Sequence, residues 1–155
     1  MRVIGFDPAT VTGWAIRDAA GEWVTGTVKM RDNDSRCMMV RELWRHKPDA
    51  AYIEDCYFQK NPKTLKTLQD AQSRIVIVCE RYKIPVTIVM PRVWMGSWDL
   101  LQGNPKRNEI KKRAKVCAER IAGHKPATQD ECDAVCIAAY GESMERQFGL
   151  IERGT

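Results

Sequence analysis

Apolar and polar positions alternate and break near the start of the chain in a way that predicts three strands in succession. Met1-Arg2-Val3-Ile4-Gly5-Phe6 is a short, mostly apolar run; Asp7 falls where it ends, and Pro8 stops the ladder. A second strand starts at Gly13-Trp14-Ala15-Ile16 and runs to Arg17. A third runs from Trp23 to Met30, with Asp18-Ala19-Ala20-Gly21 as the hairpin turn between them. Ser35 to Arg45 reads as a helix with N-cap candidates in Asn33-Asp34-Ser35, broken by Lys47-Pro48-Asp49. Ala50 to Glu54 is a short buried strand that again ends in a carboxylate. Asn61-Pro62 opens a helix to Tyr82 with Leu65, Leu68, Gln72, Ile75, Val76 and Cys79 along one stripe. Pro85 to Met90 is a β-branched strand closed by Pro91.

Arg92 to Gly103 follows no clear period, and its glycines mark an irregular or mobile segment that contains Trp94 and Trp98. Asn104-Pro105 opens an amphipathic, basic helix to Gly123, with Ile110, Ala114, Cys117 and Ile121 as its apolar stripe. Thr128-Gln129-Asp130-Glu131 is a Thr-x-x-Glu capping box that starts the last helix and occupies Glu131 structurally. The order βββαβαβα predicts an α/β fold: a mixed central sheet, three antiparallel strands then parallel ones, flanked by helices.

Length and composition narrow this further. With 155 residues, one domain spanning 1–155 is expected, long enough for a proper core. The apolar runs are far too short to span a bilayer, and the N-terminus carries a strand pattern rather than a leader, so a cytoplasmic protein with no membrane segment is expected. Six cysteines form no Cys-x-x-Cys pair, and His46 and His124 stand at no zinc-like spacing from them, which predicts reduced, structural thiols. The net charge of +5 is a modest excess, but its placement is informative. Arg92 to Lys125 holds nine Lys or Arg against three acids, more positive excess than the whole chain carries. Such clustering is the footprint of a phosphate-backbone binder, or else a solvated helix face.

The candidate chemistry lies in four carboxylates. Asp7 and Glu54 end two strands that can lie side by side. Asp130 and Asp133 are three apart and share one face of a helix's first turn. Taken alone, that pair is explained by the helix dipole. Four converging carboxylates repel one another unless neutralised, and hard oxygen donors suit Mg²⁺ or Mn²⁺. Two such ions about 3.5–4 Å apart serve in-line phosphodiester displacement without a nucleophile from the protein.

The stretch Ile4-Gly5-Phe6-Asp7-Pro8-Ala9-Thr10-Val11-Thr12-Gly13-Trp14, with Ile53-Glu54 and Asp130-x-x-Asp133-Ala134, resembles the RuvC family of Holliday junction resolvases, within the RNase H-like superfamily. The resemblance covers nearly the whole chain in order. It implies an RNase H-like fold and a homodimeric, Mg²⁺-dependent endonuclease that cuts opposed strands of a four-way DNA junction. It implies Asp7, Glu54, Asp130 and Asp133 as catalytic ligands of two ions, Mg²⁺ with Mn²⁺ as substitute, Asp7 bridging both. Tyr57, beside Phe58 and in a loop with Lys60, matches an aromatic that stacks on bases at the junction point. Arg107 falls where the family keeps a basic residue near the scissile phosphate, with Lys106 its neighbour, Arg92 a competitor, and Lys111 further along the same basic helix. The helix from Lys63 to Tyr82 resembles the family's dimerisation helix. Where the family often has a lysine, this chain has Met95, and Trp94 and Trp98 suggest a variant branch of the phage or viral type. An RNase H-type or flap nuclease on the same scaffold is the main alternative, and a non-catalytic branched-DNA-binding module the different-class one. Actin-like ATPases also share the ancestry, but this first turn lacks their phosphate-approaching glycine and the chain is too short for two lobes.

Overall fold

The computed structural model describes residues 1–30, 34–56 and 61–153, with side chains of 34–37 and 150–153 left aside. Five strands, β1 (Val3–Asp7), β2 (Val11–Arg17), β3 (Trp23–Lys29), β4 (Ala50–Glu54) and β5 (Val86–Val89), form one sheet in the order β3-β2-β1-β4-β5. β1, β2 and β3 are antiparallel neighbours, while β4 pairs parallel with both β1 and β5. Five helices pack around it: α1 (Asp34–His46), α2 (Pro62–Arg81), α3 (Pro91–Ser97), α4 (Arg107–Ala122) and α5 (Gln129–Arg153). The mixed sheet, three antiparallel strands followed by parallel ones, agrees with the sequence pattern.

Period-two alternation divides the apolar side chains between two layers. Ile4, Phe6, Trp14, Ile16, Ala51 and Ile53 face Ala71, Ile75, Val78 and Cys79 of α2, together with Met39 and Leu43 of α1. Val3, Ala15, Tyr52 and Val89 belong to the opposite layer, with Trp94 of α3, Ala114, Ala118 and Ala122 of α4, and Ala134, Val135 and Ala138 of α5. Burial on α2 thus centres on Ala71, Ile75, Val78 and Cys79; Leu65, Leu68, Gln72 and Val76 of the expected stripe are only partly buried. On α4 the fully buried line is Ala114, Ala118 and Ala122, with Ile110, Cys117 and Ile121 at its margin. Small residues win there because α4 lies close against α5, which itself lies flat on the sheet.

Two boundaries differ from expectation. The segment expected to be irregular begins with a helix, α3, which Pro91 starts at its first turn. Seven residues are too few for a periodic pattern to declare itself, and its anchors are two tryptophans. Trp94 is fully buried, and Trp98 donates its indole N–H to the carbonyl oxygen of Cys136 at 3.0 Å. The following helix begins at Arg107 rather than at Asn104-Pro105, because Asn104 sits at φ +53 and the chain turns before it coils.

Glycine at two positions lets α5 approach the sheet. A Cβ on Gly5 would stand 2.5 Å from both the Ala134 carbonyl oxygen and the Ala138 nitrogen; one on Gly13 would collide with the Asp130 backbone. Gly13→Ala is therefore expected to push the start of α5 off β2 and destabilise the protein by about 2 kcal/mol or more. Urea denaturation checks this; an unchanged midpoint would mean that α5 shifts freely.

Candidate active site

Parallel pairing places Asp7 beside Glu54. Phe6 is in register with Ile53, so the next residue of each strand ends the ladder at the same sheet edge. Alternation turns both side chains toward the layer that holds Val3 and Tyr52, which is the side covered by α5. The β1–β2 turn is held by Thr12, whose hydroxyl donates to the Ala9 carbonyl at 3.0 Å and accepts from the Ala9 N–H at 3.3 Å. Asp7 is paired across the ladder with Gly13, the residue against which the first turn of α5 packs. The Asp-Pro-Ala-Thr-Val-Thr-Gly stretch therefore has a local purpose: it ends a strand in a carboxylate and opens the space into which Asp130 is delivered.

The start of α5 is fixed by Thr128 and Glu131. Thr128 Oγ1 accepts from the Glu131 N–H at 3.1 Å, as in a capping box. The Glu131 carboxylate reaches back to the Ala127 N–H at 3.1 Å, one residue before the expected position, and also accepts from the Thr25 hydroxyl at 2.7 Å. Glu131 is buried, and it ties the helix start to β3 while Asp130 and Asp133 are left for the sheet edge.

Asp7 feels the other three carboxylates, Glu54 feels Asp133, and Asp133 feels Asp130. Burial pushes the Asp7 carboxyl well above its usual range, and the charges of Glu54, Asp133 and Asp130 push it the same way, with Lys111 opposing. Glu54 is pushed up to about 7, chiefly by burial, against a hydrogen bond from Trp94. Asp133 is pushed up to about 6, again chiefly by burial, with Gln129, Lys111 and Lys115 opposing. Asp130 is raised by burial, partly offset by Lys111. Negative charge is thus concentrated where little positive charge from the protein offsets it, and all the donors are hard oxygens, a set suited to a divalent cation. As they stand, no three His, Cys, Asp or Glu side chains among the described residues converge closely enough to hold an ion. Two of the four carboxylates each accept one hydrogen bond within the protein: Glu54 Oε2 from Trp94 Nε1 at 2.7 Å, and Asp133 Oδ1 from Gln129 Nε2 at 2.8 Å.

The basic residues separate into two groups. Lys111 is the cation whose charge reaches Asp7, Asp130 and Asp133, with Lys115 acting on Asp133. Arg92, Lys106 and Arg107 are exposed and exert no such influence on the four carboxylates; Lys106 instead lines an open groove of about 680 Å³ with Trp98, Lys112 and Arg120. Arg107, Lys111 and Lys115 follow one another at one-turn intervals on one face of α4, so Arg107 is set apart by its place at the helix start, whereas Lys112 and Arg120 are rotated away from that face. Arg113 is occupied by Glu109 and by the carbonyl oxygens of Leu100 and Gln102. Lys115, Trp94 and Gln129 escaped the sequence reading. The i, i+4 spacing from Lys111 was a usable signal for the first; nothing local marks the indole of Trp94 as aimed at Glu54. Tyr57, Phe58 and Lys60 lie outside the described residues.

No family model matches the chain. Among curated proteins it is similar to crossover junction endodeoxyribonuclease RuvC of Orientia tsutsugamushi (strain Ikeda), 25% identical across 97% of this chain and 100% of that one. It is similarly close to the protein of the same name from Azorhizobium caulinodans, 24% identical over 89% and 87% of the two chains. In structure it resembles Thermus thermophilus RuvC, with TM-score 0.70 and 19% identity over 94% and 97% of the chains. The T. thermophilus protein in complex with a Holliday junction substrate gives the same score at 18% identity, over 89% and 90%. Fowlpox virus resolvase, solved with Holliday junction DNA, gives 0.59 at 14% identity, over 91% and 99%. The fold is RNase H-like.

Proposed function

We propose that this RuvC-like chain is a structure-selective endonuclease that resolves four-way DNA junctions by metal-assisted phosphodiester hydrolysis. The observation that carries this reading is the grouping of Asp7, Glu54, Asp130 and Asp133 from two strand ends and one helix start, half-buried at one edge of the sheet with Asp7 feeling the charge of the other three. Asp7, at the centre of the set, Glu54, Asp130 and Asp133 would hold two Mg²⁺ or Mn²⁺ ions. Such ions, when bound, polarise the phosphate and make water a nucleophile near neutral pH.

The chain's own groups prepare the site. Lys111 brings an ammonium to the rim of the carboxylate cluster, where it would orient a phosphate oxygen by charge and hydrogen bonding. Exposed Arg92, Lys106 and Arg107 stand off from the cluster and would contact flanking backbone phosphates, adding affinity that falls with salt. Tyr57 and Phe58 would stack on bases opened at the junction point, with Lys60 on the backbone beside them.

The resolvase acts as a homodimer of one-domain chains, 1–155, in the cytoplasm. Two cuts on opposed strands require two sites, and α2 keeps Ile77 55% exposed, with Ile88 44% exposed on the edge strand β5. A partner helix packed against α2 would cover them. No helix among the described residues is long and apolar enough to cross a membrane.

The test is to incubate the protein with four-way, flap and linear DNA in Mg²⁺ or in EDTA. Junctions are expected to be cut in preference, by paired incisions, and only with Mg²⁺. Equal cutting of all three substrates would overturn the resolvase reading and keep the nuclease. Junction binding without cutting in either Mg²⁺ or Mn²⁺ would leave a binding module.

A further inference from the structure

Trp94 is absent from every element of the motif that carried the resemblance, yet it makes the shortest side-chain hydrogen bond to the four carboxylates. Its indole N–H donates to Glu54 Oε2 at 2.7 Å, and the ring is fully buried. The ring is also held from several sides. Pro91 starts α3, the Trp94 carbonyl accepts from the Ser97 hydroxyl at 2.7 Å, and one turn on Trp98 binds the Cys136 carbonyl of α5. Glu54 is clamped at its backbone too, where its carbonyl accepts from Gln72 Nε2 of α2 at 3.0 Å. A carboxylate oxygen that could turn away from its neighbours is thereby held in one orientation by a rigid, uncharged donor.

The chemistry of the donor matters. A lysine or arginine at this point would neutralise Glu54 and compete with a cation for it. An indole N–H satisfies one lone pair and adds no charge, so the carboxylate keeps its negative charge and its second oxygen for a ligand. Trp94 cannot ionise, and its size leaves it few alternative positions in a packed core.

We propose that Trp94 is a positioning residue for cation binding: its indole N–H fixes the Glu54 carboxylate so that the remaining oxygen is presented to a divalent metal beside Asp7. This rests on the metal-site reading above and adds a residue to it.

The experiment measures Mn²⁺ binding by titration calorimetry on the full chain, without DNA, for the wild type, Trp94→Phe and Asp7→Asn. A further variant carrying 3-benzothienylalanine at position 94 keeps the bicyclic shape and lacks only the N–H, so it separates the hydrogen bond from the packing even if Trp94→Phe folds poorly. Asp7→Asn is expected to lose most Mn²⁺ binding. The benzothienyl variant is expected to keep the wild-type melting temperature and bind Mn²⁺ about tenfold or more weakly, the range found when a hydrogen-bond partner of a metal ligand is removed. Wild-type affinity in that variant, with Asp7→Asn impaired, would overturn the role of Trp94 alone. Undiminished binding in Asp7→Asn, or no binding by the wild type, would overturn the metal site itself and the inference with it.

Discussion

Asp7→Asn is expected to lower Mg²⁺-dependent junction cleavage by about 10⁴-fold or more, the scale of loss when a group acting in the transition state is removed from a concerted site. Asn keeps the size and one oxygen of Asp but removes the negative charge on which every other carboxylate of the site acts. Asp7 is also the residue whose own proton affinity responds to Glu54, Asp133 and Asp130 together, which makes it the electrostatic centre of the set. The variant should fold, because the change removes a buried repulsion and adds no bulk. Junction binding in EDTA should therefore persist while cleavage is lost. Measuring both on one preparation, by gel shift and by single-turnover cleavage, separates the two; cutting at the wild-type rate would place the chemistry elsewhere in the protein.

Without metal, the protein is expected to lose stability as pH rises from about 4 to about 7, and Mg²⁺ is expected to restore it most at the alkaline end. Folding raises the Glu54 carboxyl from 4.5 to about 7 and the Asp133 carboxyl from 3.8 to about 6. A carboxyl whose folded value lies above its unfolded one binds more protons in the native state across that interval. Raising the pH through it therefore favours the unfolded chain, and the penalty is complete above the folded value. The coupled set is expected to cost on the order of 2–4 kcal/mol by pH 8, less than the separate shifts would sum to, because the groups titrate together. Thermal melts in EDTA from pH 5 to 8, repeated with Mg²⁺, read this directly. A melting temperature that climbs steadily with pH in EDTA would contradict it. Asp7→Asn should flatten the slope, which links the stability measurement to the cleavage one.

Much of this architecture was readable from one-dimensional pattern. Each of the five strands was visible because apolar runs of four to seven residues ended at a proline, a glycine turn or a carboxylate. The two long helices α2 and α5 announced themselves by caps, Asn61-Pro62 and Thr128-x-x-Glu131, whose local hydrogen bonds are formed within a few residues. Short α3 was missed because seven residues hold two turns, and what stabilises it is the burial of Trp94 and the bond from Trp98 to α5, both distant in sequence. Which cation stands beside the carboxylates was left open by the sequence for a related reason. Arg92, Lys106, Arg107 and Lys111 are equivalent by charge, and only the packing of α4 beside α5 brings the Lys111 charge to the carboxylates.

For Asp7, Glu54, Asp130 and Asp133, identity and order along the chain were enough to nominate the set, because strand-end and helix-start positions are local properties. Their approach to one edge of the sheet was not local. It depends on β4 pairing parallel with β1, so that Glu54 ends beside Asp7, and on Gly5 and Gly13 letting α5 lie close enough to deliver Asp130 and Asp133. The hydrogen bond from Trp94 to Glu54, across 40 residues of chain, belongs wholly to packing. Side-chain type and spacing carry chemistry that a few neighbouring residues can enforce; distances between elements are set only when the core closes around them.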